Sequence, residues 1–396
     1  MTPDRPGPPP AAGPGPALVV RSVTAVDAAG TVPDAWLSSR DGRITATGTG
    51  DGWRAHAAGA EVVDGTGRLL VPGFVDLHVH GGGGHSHEDG PEAVLAATAA
   101  HARHGTTRTV VSLVSDTVVA LCRRLGEVAD LAREHPHVLG SHLEGPFLAP
   151  ARKGAHDPQR LVDPTPEAVE RLLAAARGTL RQVTLAPERP GATAAAEAFR
   201  AAGVVVAVGH TEADHALAAA TFARGARLLT HAFNAMPGVH HRAPGPVVAA
   251  VDDGSVVLEV ILDGEHVHPR VVAMLLAAAP DRVALVTDAM AAAAATDGDY
   301  VLGGLGVTVS GGRAVVTGTD TLAGSTLTMD RALRTGVAAG LPLPALVAAA
   351  TATPARVLGL GGVVGRLAPG QLADLVLLDE TLHVVSVHHS GLPVRG

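Results

Sequence analysis

Cysteine is almost absent from this 396-residue chain, where Cys122 stands alone. No intrachain disulfide can form, and a zinc site built on several thiolates is excluded. A reducing compartment, and with it a cytoplasmic location, is the expectation. Aromatic residues are scarce too: five Phe, two Trp and one Tyr. The core must therefore come from Ala, Val and Leu. Basic charge is in deficit, since 30 Lys+Arg against 38 Asp+Glu give a formal net charge of -8. A nucleic-acid partner needs a basic footprint and is not expected on that balance. No apolar run reaches the roughly 18 uncharged residues of a membrane span, so no membrane association is expected. Residues 1–16 are rich in Pro and Gly and lack the apolar centre of a signal peptide. They read as a disordered tail.

What is present is core material. Hydrophobic residues make up 46% of the chain and mean hydropathy is +0.26, which excludes a disordered protein. Residues 17–70 read as short strands joined by turns, with Asp41-Gly42 and Asp64-Gly65 as hairpin signals. Residues 357–396 have the same character. Between these ends, eight apolar segments alternate with Ala/Leu-rich stretches of helical period. The eight begin with GFVDLHVH and TRTVVSLV and finish with SVVLEVILDG and DRVALVTDAM. Apolar strands separated by helices imply a parallel sheet. Eight repeats imply a closed (β/α)8 barrel over residues 71–356. The competing fold is a doubly wound open sheet. The two ends are expected to form one small, discontinuous β-sandwich domain. Residues 300–320 break the pattern and read as an inserted hairpin before the last barrel helix.

Histidine is in excess, with 21 in the chain. Several sit at the C-terminal ends of predicted strands, which is the catalytic face of a closed barrel. The first strand ends Asp76-Leu77-His78-Val79-His80. Alternate residues share a strand face, so His78 and His80 point the same way. The third strand ends His142-Leu143-Glu144, the fifth Gly209-His210, the sixth Thr230-His231 and the eighth Thr287-Asp288. Each taken singly is equally a satisfied core histidine or a helix-capping aspartate. Their joint placement at strand ends argues for a site. The set His78, His80, Glu144, His210, His231 and Asp288 suits Zn²⁺ or Fe²⁺ better than Mg²⁺ or Ca²⁺. One or two divalent ions are expected, with Glu144 bridging two or serving one. A bound ion lowers the pKa of its water to about 7, and Asp288 is the natural general base and acid. Metal-assisted hydrolysis follows as the reaction class. Cys122 reads as a small core residue, and His85 and His87 as part of a loop near the site.

The segments PGFVDLHVHG, HLEGPF, KGAH, VGHTEA, HAFNAMPGVHHRAPG, DGEHVHP, VTDAM and TLAGSTLTM resemble the N-acetylglucosamine-6-phosphate deacetylase family of the amidohydrolase superfamily. The resemblance runs from about Val71 to the last strands. It implies a barrel plus a small β-sandwich, a homodimer, and hydrolysis of N-acetylglucosamine 6-phosphate to glucosamine 6-phosphate and acetate. It assigns Glu144, His210 and His231 to the ion that every family version holds. With His78 and His80 present, the chain resembles the members that can hold two, with Asp288 near the first ion. Asp288 matches the catalytic aspartate. Ala155, Asn234, Ala235, Arg242, Asp263, Gly264, Glu265, His266, Leu322, Ala323 and Gly324 match substrate-contact positions.

The chemistry of those positions agrees with that assignment. Arg242 offers a fork of donors suited to phosphate. The amides of Asn234-Ala235 can add phosphate contacts, and His266 can donate to the acetamide oxygen. Ser325 is the expected N-cap of the last barrel helix. His142 either supports the ligands from behind or touches substrate. The expected reaction has hydroxide generated at the metal as nucleophile. Alternatives are an N-acetylgalactosamine-6-phosphate deacetylase, an N-acyl-amino-acid deacylase, or a non-catalytic binding relative.

Overall fold

A computed structural model describes residues 17–394. The tail expected at residues 1–16 lies outside the described residues. Eight parallel strands occupy the middle of the chain: Phe74–Val79, Thr106–Val114, Val138–Glu144, Leu180–Leu185, Val205–Val208, Leu228–Leu229, Val257–Ile261 and Val283–Val286. They lie side by side in chain order. The first and last strands close on each other through Asp288 N–H to His78 O at 2.8 Å and His80 N–H to Ala289 O at 2.7 Å. The result is the barrel and not the open sheet. Its strands are almost wholly apolar because helices cover them outside and side chains fill them inside.

The helices begin where the sequence supplies a start. Pro91, Pro166 and Pro269 each sit in the first turn, where proline has no amide to waste. Thr117 and Thr165 cap their helices by accepting from Ala120 and Ala168 N–H. The helices over Val118–Glu134 and Pro166–Ala176 pack Leu121, Leu125, Val128, Val169 and Leu172 against the barrel wall.

Three local expectations are corrected. The insertion is three antiparallel strands, Gly298–Leu302, Leu305–Ser310 and Arg313–Val316, because Gly311-Gly312 turns the chain back once more. It has its own core, in which Leu302, Val307 and Val309 meet Met290 and Ala323. The last barrel helix is Met329–Ala338 with Thr328 at its N-cap. Ser325 instead donates to Thr287 O and accepts from Leu327 N–H, tying the preceding loop to the eighth strand. His85 and His87 are not in one loop: His85–Ser86 pairs with Gly81–Gly82, and His87 is buried at the start of the short helical turn His87–Asp89.

The two ends of the chain meet in one sheet. Ala17–Asp27, Gly30–Arg40, Arg43–Thr49, Ala60–Asp64 and Leu69–Pro72 join Leu375–Leu378, Val384–His389 and Leu392–Pro393. The junction is the antiparallel pairing of Leu69–Pro72 with Leu375–Leu378. All eight strands are hydrogen-bonded into a branched sheet around Leu18, Val20, Leu37, Ile44 and Leu375.

Arg108 fastens this sheet to the barrel. It is fully buried on the second barrel strand. Its Nε lies 2.6 Å from Asp374 Oδ2, and an Nη lies 3.1 Å from Oδ1. It also donates to Pro136 O and to Ser390 Oγ. Burial works against the Asp374 charge, but the guanidinium holds its carboxyl below the usual carboxylate range. Beside this pair, the His137 and His389 rings stand 6.0 Å apart. Burial, with His389, His135 and Arg108 adding like charge, pushes His137 down to about 4. His389 is lowered by burial as well.

Two outcomes follow. Asp374→Ala strands a buried guanidinium and should lower unfolding free energy by about 3–5 kcal/mol in urea titrations. His137 is neutral when folded, whereas an unfolded histidine binds its proton near pH 6.5. The unfolded state therefore takes up the proton first, and stability should fall as pH drops from about 6.5 towards about 4. His137→Asn should flatten that slope in thermal melts.

Candidate metal centre and active site

Six of the sequence-predicted residues converge at the C-terminal mouth of the barrel, and all six are buried. His78, on the first strand, and His80, just past its end, share a face, as alternation requires. Glu144 ends the third strand. His210, His231 and Asp288 lie just past strands and reach the site differently. Their backbones take φ of 46°, 25° and 46°, a left-handed turn that swings each side chain inward. A non-glycine residue there costs about 1–2 kcal/mol, and such strain collects at functional sites. The sixth strand is only two residues long because the chain leaves the ladder at Thr230-His231.

Among the described residues, two groups have ligand atoms within 4.8 Å of one another: His78, His80 and Asp288, and Glu144, His210 and His231. Glu144 joins them. Its Oε1 lies 3.2 Å from His210 Nε2, 3.1 Å from His231 Nε2 and 3.3 Å from His78 Nε2. Its Oε2 lies 3.1 Å from His80 Nε2. Asp288 Oδ1 is 3.4 Å from Nε2 of both His78 and His80. Burial opposes the charge on Glu144, but His78 and the ring nitrogens around it hold the carboxyl well below its usual range. Asp288 is likewise lowered, against its burial, by His78 and His80.

The donor set fits divalent cations. His78 and His80 bring Nε2 atoms to 3.0 Å, and His210 and His231 bring theirs to 2.9 Å. With Nδ1 protonated on each ring, the two Nε2 lone pairs of a pair converge on one spot, which a cation would occupy. Among the described residues, Glu144 and Asp288 are paired with histidines and with no lysine or arginine. Nitrogen and carboxylate ligands suit zinc-like ions. The ligand rings are also held from behind. His210 Nδ1 donates to Arg152 O at 2.8 Å, and His78 Nδ1 lies 3.3 Å from Glu259 Oε2.

A cavity of about 350 Å³ opens above the centre. Ala155, Asn234, Ala235, His266, Leu322 and Gly324 line it. Gly324 has φ of 63°, and a Cβ there would stand 2.9 Å from Asp288 O. Ala323 is buried behind its neighbours. His266 aims into the cavity because its Nδ1 is held by Asp263 Oδ2 at 2.7 Å and its amide by Oδ1. Burial disfavours its proton, but the Asp263 carboxylate raises its pKa overall. Gly264 takes φ of 88° in that turn, and Glu265 points away to Arg313 of the insertion at 3.4 Å. Arg242 is exposed and its side chain does not line the cavity; Arg152 does. His142 is fully buried beneath, with both ring nitrogens occupied by Ser112 and Thr184 hydroxyls. It supports the centre from behind through an edge contact on the His78 ring at 4.7 Å.

Sequence reasoning passed over three residues here. His156, the last residue of KGAH, puts Nε2 3.3 Å from Glu144 Oε2 and lines the cavity. Asp76 accepts from His78 and Thr287 N–H and from Thr287 Oγ1 at 2.6 Å. Burial pushes it up to about 6. Glu259 is a lone carboxylate in the middle of an apolar strand, whereas Glu144 ends its strand.

A parallel eight-stranded barrel with imidazoles and carboxylates gathered at its C-terminal mouth defines a metal-dependent hydrolase class. The match is direct: the amidohydrolase family model covers residues 69–392, and the chain belongs to that family. It is 40% identical over 328 residues to an N-acetylgalactosamine-6-phosphate deacetylase of Escherichia coli O157:H7, covering 82% of this chain and 87% of that protein. It is 32% identical over 373 residues to an N-acetylglucosamine-6-phosphate deacetylase of Lysinibacillus sphaericus, covering 92% and 94%. A solved N-acetyl-D-glucosamine-6-phosphate deacetylase mutant from Mycobacterium smegmatis, in complex with N-acetyl-D-glucosamine-6-phosphate, superposes with a TM-score of 0.91 at 41% identity. That superposition covers 96% of this chain and all of that one. No described helix is long and apolar enough to cross a membrane.

Removing divalent ions with a chelator should abolish hydrolysis and lower the melting temperature, and Zn²⁺ should restore both. Glu144→Ala, which deletes a carboxylate shared by both groups, should reduce bound metal by at least one ion per chain in elemental analysis.

Proposed function

We propose that the chain deacetylates N-acetylglucosamine 6-phosphate, releasing acetate and glucosamine 6-phosphate. The observation that carries this reading is the junction of the two histidine–carboxylate groups through Glu144, below a cavity of sugar-phosphate size. The relatives' activities support it. The preferred ions are Zn²⁺ or Fe²⁺, held by Glu144, His210 and His231 on one side and by His78, His80 and Asp288 on the other. When bound, such ions polarise an acyl carbonyl and bring a coordinated water to a pKa of about 7.

The chain's own residues do the rest. Asp288 accepts the proton of the attacking water and returns it to the departing amine nitrogen as the C–N bond breaks. His266, oriented by Asp263, whose carboxylate also raises its pKa, donates to the acetamide oxygen where negative charge develops. Ala155, Leu322 and Gly324 shape the sugar cavity. The Ala235 amide is left for the phosphate, whereas the Asn234 N–H is held by His231 O at 3.0 Å; Arg152 is the cation of the same cavity. Arg242, on the exposed side of that loop, steers the anion from outside. Phosphate binding remote from the amide orients the reacting group.

The 4-epimer, N-acetylgalactosamine 6-phosphate, is the second reading, favoured by the 40% identity to a deacetylase of that name. Acetate release from the two epimers, measured side by side, decides between them; a larger kcat/KM for the galacto form would overturn the first reading. Asp288→Asn should cut kcat by on the order of 10² or more, and near-normal turnover would reject its role. Arg152→Ala should raise KM for the phosphorylated sugar more than for the unphosphorylated one, and more than Arg242→Ala does.

A further inference from the structure

We propose that Glu259 is a positioning residue that makes the His78/His80/Asp288 group able to hold its ion. The inference rests on the metal-binding reading above and adds a residue to it. Glu259 sits in the middle of the seventh barrel strand, Val257–Ile261, among Val, Leu and Ile, and none of it is exposed to solvent. A carboxylate in such a place is costly unless each oxygen is engaged. Both oxygens are. Oε1 accepts from Gln182 Nε2 at 2.7 Å, across the barrel interior on the fourth strand. Oε2 faces His78 Nδ1 at 3.3 Å and the His231 main-chain N–H at 3.4 Å. Among the described residues, no lysine or arginine pairs with it, and its one ionic partner is His78.

This geometry has a chemical consequence. Its other partners, Gln182 Nε2 and the His231 N–H, are donors, so the carboxylate serves as acceptor; the His78 proton is drawn to Nδ1 and the Nε2 lone pair is left for the site. The ring plane is fixed at the same time. His80 has no such support, because its Nδ1 is buried without a partner. His78 is therefore the one strand-borne imidazole of that group whose tautomer is set by a carboxylate. Outer partners of this kind raise ligand basicity, and their loss typically weakens metal binding by about 10–100-fold. Gln182 orients Glu259 in turn, which makes a chain from the fourth strand through the seventh to the first.

The test uses the full chain, stripped of metal and titrated with Co²⁺, read by calorimetry and by the visible absorption of the bound ion. Wild type should take up two ions. Glu259→Gln keeps the volume and an acceptor but removes the charge, and should weaken one ion by about tenfold. Glu259→Leu should weaken the same ion by up to about 100-fold. The other ion and the melting temperature of the metal-free Gln variant should stay as in wild type, which a purely structural role would not predict. In a His78→Ala background, where the imidazole that Glu259 holds is gone, Glu259→Gln should weaken nothing further. The proposal is overturned if both dissociation constants of Glu259→Gln lie within twofold of wild type, or if Glu259→Gln still weakens the same ion in the His78→Ala background. Should Glu259→Leu fail to fold, the Gln variant decides alone. A wild type that binds fewer than two Co²⁺ ions would refute the two-group metal reading as well, and so is distinct from the failure of Glu259 by itself.

Discussion

Four carboxylates, Asp76, Glu144, Glu259 and Asp288, are buried at or just below the mouth of one barrel, and among the described residues no lysine or arginine is paired with any of them. That imbalance governs the molecule. Burying a bare carboxylate is prohibitive, so each must be hydrogen-bonded, protonated or neutralised by a cation. Asp76 takes the first route, its oxygens accepting from Thr287 and from backbone amides, while burial raises its pKa to about 6. Glu144 and Asp288 instead face a ring of imidazole nitrogens. Charge, donor type and convergence therefore ask for the same thing, a divalent ion.

The scaffold is arranged so that this demand is met in one place. Parallel strands deliver their C-terminal ends to a common rim, and three of the six site residues accept left-handed backbone to turn inward there. The insertion Gly298–Val316 and the Leu322–Gly324 loop roof the cavity, while Asp263 aims His266 into it. On the other side of the molecule, the Arg108–Asp374 pair clamps the barrel to a sheet woven from both chain ends. The clamp keeps the first strand, which carries His78, continuous with the end sheet through Leu69–Pro72.

Much of this could be read from the sequence. Alternation of apolar strands with Ala-rich helices specified the barrel, and His78 with His80 was visible as a two-residue strand spacing. The Ala/Leu-rich stretches between strands are helices, three of which begin at Pro91, Pro166 and Pro269. Details of chain path were less legible. Nothing in GGLGVTVSGGRAVV distinguishes two inserted strands from three, since glycine pairs mark turns without counting strands. Ser325 looked like a helix cap because serine before a periodic run usually is one; here it serves the eighth strand. Glu259, like Glu144, is a carboxylate in an apolar strand but lies mid-strand, so a search confined to strand ends passed over it.

Local chemistry was thus determined by sequence alone: which residues can ligate, which segments are strands or helices, and which charges lack partners nearby in the chain. Distance across the barrel was decided by the tertiary structure. Glu144 touches residues from 66 and 87 positions away, and Glu259 reaches His78 from 181 positions away. Such contacts follow from strand stagger and side-chain direction in a closed ring, quantities that no periodicity encodes. The same is true of Arg242, whose residue type suits phosphate, but whose loop carries it outside the cavity.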